Sequence, residues 1–130
     1  MIAVDTNILV RLMTGDDPDQ MARAEALLQH GRVFIPTSVM LEAEWVLRSV
    51  YGFACERRFS ALEALAGLPD VALEHADRVA GALALARQGF DFSDVMHYLA
   101  AVDAGCDELA TFDLKFARLP NDGPPAVRLL

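Results

Sequence analysis

Four acidic residues in this chain have the types and positions that metal-assisted chemistry requires. Asp5 and Asp113 each follow a short apolar run, Glu42 lies inside an apolar segment, and Asp94 follows Asp91 by three residues. Separated carboxylates without cysteine at ligand spacing suit a hard cation with oxygen ligands, so Mg²⁺ or Mn²⁺ is favoured over zinc. Such an ion can activate water and stabilise the charge of an in-line phosphoryl transition state.

Each of these acids also has a purely structural interpretation. Asp5 could be the N-cap of the helix that follows it. Asp91 and Asp94 have the spacing of a capping box, in which one residue satisfies the free N–H groups of the first turn. We interpret Asp91 as the cap. Asp94 is then the metal candidate, since the helix dipole favours an ionised carboxylate in the first turn.

Glu42 is predicted to lie at the edge of the apolar stripe of its helix, without a basic partner. Its neighbour Glu44 can pair with Arg48 four residues further on. The stripe consists of Val39, Ala43, Val46 and Val50. A carboxylate bordering a core is costly unless it is compensated, as a divalent cation would do. The alternative is a half-exposed glutamate without a ligand role.

Two of the acids are predicted to share one edge of a sheet. Asp113 follows a strand by two residues, which repeats the placement of Asp5 after its own strand. If those strands are neighbours where the strand order reverses, both carboxylates face one crevice. Thr111 ends the same strand and could hydrogen-bond a metal-bound water or a neighbouring carboxylate, or be an ordinary strand threonine.

The elements that must position these residues are short strands alternating with helices. The predicted strands are residues 2–4, 33–35, 71–73, 109–111 and 126–129. The predicted helices are residues 8–13, 18–30, 37 or 38 to 51, 55–68, 76–88, 91 to 104 and 113–118. We expect Asp17 to cap the second helix, and Thr37 or Ser38 to cap the third. This alternation is typical of an α/β fold whose parallel sheet is covered by helices on both faces.

Length and composition predict one domain over residues 1–130. The chain has no internal repeat and no linker long enough to divide it. Hydrophobic residues make up 54% of the chain and its mean hydropathy is +0.27, which is more apolar than the usual share of about 45–50%. Some apolar surface is therefore expected to be covered by a partner or a second copy.

Charge and cysteine content restrict the function classes. A net charge of −8 argues against a protein that blankets nucleic acid by neutralising phosphates, but not against an enzyme that contacts nucleic acid locally. Cys55 and Cys106 lack metal-binding spacing and suit free thiols in a reducing compartment. No apolar stretch reaches about 18 residues, so we expect a soluble, cytoplasmic protein.

Four segments together carry a resemblance to a known family. They are Val4-Asp5-Thr6-Asn7, Leu41-Glu42-Ala43-Glu44-Trp45-Val46-Leu47, Asp91-Phe92-Ser93-Asp94 and Ala110-Thr111-Phe112-Asp113. In this order and at these separations, the chain resembles PIN-domain ribonucleases over essentially its whole length. In particular, it is similar to the VapC-type toxins of type II toxin-antitoxin systems.

The resemblance implies a three-layer α/β/α fold, a site and an activity. The implied sheet has about five parallel strands in the order 3-2-1-4-5, and the implied acidic pocket contains Asp5, Glu42, Asp94 and Asp113. Asn7 looks like the family's supporting amide beside the first acid. The implied activity is Mg²⁺- or Mn²⁺-dependent endoribonuclease cleavage, inhibited by a cognate antitoxin protein, and family members commonly form homodimers.

Other readings remain open from the residues themselves. An aspartyl-phosphate phosphatase would also place an aspartate after the first strand, although it usually has a second aspartate where this chain has Asn7. A non-catalytic module could use an acidic pocket to bind a basic partner. Candidate RNA contacts are Arg11, Arg48, Arg57, Arg58, Lys115 and Arg118, each of which could equally be a solvated surface charge.

Overall fold

A computed structural model describes all 130 residues, and they divide into two compact units, Met1–Ala76 and Asp77–Leu130. Parallel strands and α-helices alternate along the chain, so the predicted α/β class is confirmed. The single domain over residues 1–130 stays a prediction. No helix combines the length and the apolar character that crossing a membrane requires.

The first unit contains a three-stranded parallel sheet. Its elements are β1 (Ile2–Ala3), α1 (Thr6–Thr14), α2 (Pro18–His30), β2 (Val33–Ile35), α3 (Thr37–Ser49), α4 (Cys55–Ala66) and β3 (Val71–Leu73). The strand order is 3-2-1, with Ile2 opposite Val33 and Val33 opposite Val71. This order agrees with the first part of the predicted 3-2-1-4-5 arrangement. The core includes Leu9, Ile35 and Met40, all fully buried.

The second unit contains a two-stranded parallel sheet. Its elements are α5 (Ala76–Ala86), which begins at the boundary, α6 (Phe92–Asp103), β4 (Glu108–Thr111), a 3₁₀ turn (Phe116–Arg118) and β5 (Ala126–Leu129). The order 4-5 agrees with the prediction, whereas the pairing of β1 with β4 stays a prediction. The predicted helix at residues 113–118 is wrong in part, because only its second half is helical, as a 3₁₀ turn.

One predicted helix cap is confirmed, and another is replaced by a residue from a distant part of the chain. Asp17 caps α2 as predicted, with its carboxylate accepting the Gln20 N–H at 3.0 Å. The predicted cap of α3 by Thr37 or Ser38 is wrong, because Thr37 is already the first helical residue. The Glu74 carboxylate accepts its N–H at 3.0 Å instead. A residue after β3 therefore satisfies a donor at the start of α3.

The buried face of α3 differs from the predicted stripe. Its buried residues are Met40, Ala43, Glu44 and Leu47, whereas Val50 is 67% exposed. The difference arises because α3 packs against both α1 and α4, so two neighbouring helices, and not a single apolar stripe, define which residues are buried.

An ion pair between α3 and α4 is buried in the first unit. Glu44 is 1% exposed and its Oε1 lies 2.9 Å from Arg58 Nε, although the two are not aligned as a hydrogen bond. Arg58 Nη1 donates to the Phe53 carbonyl at 2.8 Å. The predicted pair of Glu44 with Arg48 is present at 3.6 Å. The prediction that Arg58 is a candidate RNA contact is therefore wrong, because its side chain is buried.

Candidate active site

Asp5 lies two residues after β1 and caps α1. Its backbone is extended, and Oδ1 accepts the Ile8 N–H at 3.2 Å. The structural interpretation of Asp5 as an N-cap is thus correct for one oxygen. The residue is exposed, and capping uses only Oδ1, so a ligand role for Oδ2 is compatible with the cap.

Thr6 connects Glu42 to the same end of α1. The Thr6 hydroxyl donates to Glu42 Oε2 at 2.9 Å, and Thr6 itself is 8% exposed. Because Thr6 adjoins Asp5, this hydrogen bond brings two predicted site acids from distant parts of the sequence to one helix end. Glu42 is exposed, but it adjoins the buried Ala43 and accepts a hydrogen bond from the buried Thr6, which agrees with its predicted place at the edge of the core. Thr6 was not among the predicted site residues, and its position between Asp5 and Asn7 was its only signal in the sequence.

An open groove of about 490 Å³ lies between α1 and α2. Asp5 and Asn7 line it together with Arg11, Gln20 and Arg23. Asn7 is exposed in the first turn of α1, and its supporting role stays a prediction. Asp5, the first predicted ligand, therefore shares this groove with two arginines, Arg11 and Arg23.

A hydrogen-bonded cluster beside this groove occupies Arg11. Its Nη1 lies 3.1 Å from Asp16 Oδ1 and donates to the Tyr51 hydroxyl at 3.2 Å. The hydrogen bonds that Tyr51 and Thr14 donate to Asp16 lower the pKa of that carboxyl below its ordinary value of 3.8. Partial desolvation alone would lower the pKa of Arg11, but the Tyr51 hydrogen bond and the Asp16 charge together raise it. Arg11 is thus a charge compensated within the protein.

Asp91 and Asp94 lie at the start of α6. Asp91 Oδ1 accepts the Asp94 N–H at 3.0 Å, which confirms Asp91 as the N-cap. Asp94 is half-buried in the first turn. At this position the partial positive charge of the helix N-terminus stabilises an ionised carboxylate. The local geometry is therefore compatible with Asp94 as a ligand.

Asp113 lies in a loop between β4 and the 3₁₀ turn, and hydrogen bonds hold its backbone. Its Oδ1 accepts the N–H groups of Lys115 at 2.8 Å and Phe116 at 3.1 Å. Thr111 Oγ1 accepts the Asp113 N–H at 3.0 Å. Thr111 therefore acts on Asp113 through its backbone and not through the carboxylate. Asp113 is exposed.

The donor chemistry of these acids fits a hard divalent cation. Asp5 and Glu42 belong to the first unit, and Asp94 and Asp113 belong to the second. All four offer carboxylate oxygens, which Mg²⁺ prefers. In each unit taken alone, no group of three or more His, Cys, Asp or Glu side chains is placed to hold a metal ion. A site shared by all four acids stays a prediction.

Comparison with known proteins identifies the family. The family model described as PIN domain matches residues 2–122, a range that includes all four predicted site acids. Comparison with curated proteins gives no significant match. PIN domains are generally nucleases, a class of hydrolases, and usually use divalent metals such as Mg²⁺. The chain therefore belongs to the PIN domain family and has a nuclease-type fold.

Proposed function

We propose that this protein is a metal-dependent endoribonuclease of the VapC toxin type that acts in the cytoplasm. Asp5, Asp94 and Asp113 bind Mg²⁺ or Mn²⁺, and Glu42 is a further ligand or positions the attacking water. When bound, the cation supplies Lewis-acid activation of water and compensates the charge that develops on the scissile phosphate. Asn7 supports Asp5, and Asp91 fixes the start of the helix that carries Asp94.

The observation that carries this proposal is the arrangement at the N-terminus of α1. Asp5 uses one carboxylate oxygen as a cap, and the adjacent Thr6 hydroxyl orients Glu42 from α3. When a hydrogen bond already fixes a ligand side chain, that side chain loses less conformational entropy on binding an ion. In a chain of a nuclease family, this arrangement supports a ligand role for both acids.

We also propose two protein partners, a cognate antitoxin and a second copy of the chain. Trp45 on α3 is 52% exposed and Val50, directly after α3, is 67% exposed, and exposed apolar surface is commonly covered by a protein. The antitoxin is expected to inhibit the nuclease. The candidate is the product of a neighbouring reading frame that encodes a small protein with a DNA-binding half and a short tail.

Metal removal provides the direct test of the activity. The purified protein should cleave a fluorophore-quencher single-stranded RNA with Mn²⁺ or Mg²⁺, and chelation by EDTA should remove the cleavage because the cation is required for activation of water. Restoring Mn²⁺ should restore the rate, and an equimolar amount of the antitoxin should suppress it. Cleavage that persists in EDTA would contradict the metal role.

The same preparation separates the alternative functions. An aspartyl-phosphate phosphatase would hydrolyse a chromogenic phosphate ester and leave the RNA intact. A non-catalytic binding module would act on neither substrate. The nuclease proposal requires RNA cleavage without comparable hydrolysis of the ester.

Thr6→Val should impair cleavage while leaving the fold intact. Valine has nearly the same shape as threonine but cannot donate to Glu42, so Glu42 loses its orientation. Loss of such a supporting hydrogen bond typically costs about 10- to 100-fold in metal affinity or activity. Initial rates measured over a range of Mn²⁺ concentrations, with circular dichroism spectra of both proteins, would check this.

Thr6→Ser and Thr14→Val are the matched controls. Serine retains the hydroxyl that donates to Glu42, so its activity should stay close to wild type. Thr14 lies on the same helix, and its hydroxyl contacts the Val10 carbonyl at 2.8 Å and Asp16 Oδ1 at 2.9 Å, away from Glu42. A Thr6→Val protein with unchanged rate and metal dependence would show that Glu42 needs no positioning.

A further inference from the structure

Phe112 is an aromatic side chain held in solvent next to a predicted ligand. It is 83% exposed, more than any other large hydrophobic side chain in the chain, and it directly precedes Asp113. Exposing a phenyl ring to water forgoes the favourable free energy of burying it. No core contact therefore explains why an aromatic residue stands at this position.

The loop that carries Phe112 is fixed on both sides. Before it, the Thr111 carbonyl accepts the Leu130 N–H at 2.8 Å, and Thr111 Oγ1 accepts the Asp113 N–H. After it, the Asp113 carboxylate holds two backbone N–H groups, and Phe116 is 6% exposed. The ring is therefore presented from an ordered backbone, which limits the entropy lost when a ligand stacks on it.

Positive charge without an acidic partner follows the ring. Lys115, the only lysine in the chain, and Arg118 are exposed and take part in no salt bridge. Most arginines are compensated, since Arg11, Arg23, Arg48, Arg58, Arg78 and Arg128 each pair with an acid. In a chain with a net charge of −8, this segment is a local site of attraction for phosphate.

We infer that Phe112 is a stacking platform for an unpaired RNA base and that Lys115 and Arg118 contact the flanking phosphates. Proteins that bind single strands combine aromatic rings on which bases stack with basic side chains along the backbone. A base inside a duplex presents no free face, so the substrate class is single-stranded RNA or a loop. This inference rests on the proposed nuclease function and adds substrate positioning beside Asp113.

Phe112→Ala should weaken the binding of a single-stranded RNA substrate. Loss of one base-aromatic stack should raise KM about 5- to 150-fold, with kcat close to wild type because no group that reacts is changed. Phe112→Trp should restore KM, since it retains a π face. Leu114→Ala is the matched control, because Leu114 is 56% exposed in the same loop and has no ring. Its KM should stay at the wild-type value.

A binding measurement separates failure of this inference from failure of the proposed function. RNA containing 2-aminopurine should lose fluorescence on binding to the wild type and to Phe112→Trp, and not on binding to Phe112→Ala. That result supports stacking even if no cleavage occurs, in which case the nuclease proposal alone fails. Cleavage by Phe112→Ala with wild-type KM would overturn the inference. So would a Phe112→Ala effect confined to antitoxin binding, which would assign the ring to a protein interface.

Discussion

Asp94→Asn should remove RNA cleavage while leaving the fold intact, and Asp5→Asn should do the same. Each substitution replaces a charged ligand oxygen by a neutral amide of almost the same size. Changing a residue that only supports a metal ligand typically lowers metal affinity or activity about 10- to 100-fold. Loss of a ligand itself should therefore lower the cleavage rate by more than about 100-fold. Single-turnover cleavage of the same RNA with Mn²⁺, at matched protein concentrations, measures the effect.

The structure explains why these two variants should still fold. Asp5 accepts the Ile8 N–H as an N-cap, and asparagine caps helices about as well as aspartate. At the start of α6 the capping bond runs from the Asp94 N–H to Asp91, so the Asp94 side chain is not needed for it. Asp17→Asn is the control, since it changes the cap of α2 in the same way and should keep full activity. Metal-dependent cleavage retained by both Asp5→Asn and Asp94→Asn would refute the proposed site.

Glu44→Gln should destabilise the protein by about 3–5 kcal/mol, because it leaves the Arg58 guanidinium buried without its counter-charge. Glu44 is 1% exposed and lies 2.9 Å from Arg58 Nε. Small domains have free energies of unfolding of about 5–15 kcal/mol, so this single change could remove most of the stability. Urea unfolding followed by the fluorescence of Trp45, the only tryptophan, would measure the loss.

Two further variants test the cause of that loss. Glu42→Gln changes the same residue type on the same helix, but Glu42 is exposed and keeps a hydrogen-bond acceptor for Thr6. Its free energy of unfolding should change by less than about 1.5 kcal/mol. The double variant Glu44→Leu with Arg58→Met removes both charges and should recover much of the stability. A Glu44→Gln protein as stable as the wild type would show that the ion pair is not needed.

Local signals located most of the elements. The Asp17-Pro18 pair predicted the start of α2, and Asp91 predicted the cap of α6, because capping involves residues within one turn of each other. Short apolar runs located β2, β3 and β5 with the bounds that the structure has. Helix ends were less well predicted, as for α4, which ends at Ala66 and not at residue 68.

The sequence by itself determined the α/β class, from the alternation of short apolar runs with helical patterns, and the acids that mark the family, from the order of their motifs. The strand order was implied only by the resemblance to the family. Only the tertiary structure decided which glutamate of α3 is buried. Glu42 and Glu44 are two residues apart, and their environments are set by Thr6 and Arg58, which lie 36 and 14 positions away. The cap of α3 by Glu74 was likewise invisible in the sequence, because such contacts form only when packing brings distant segments together.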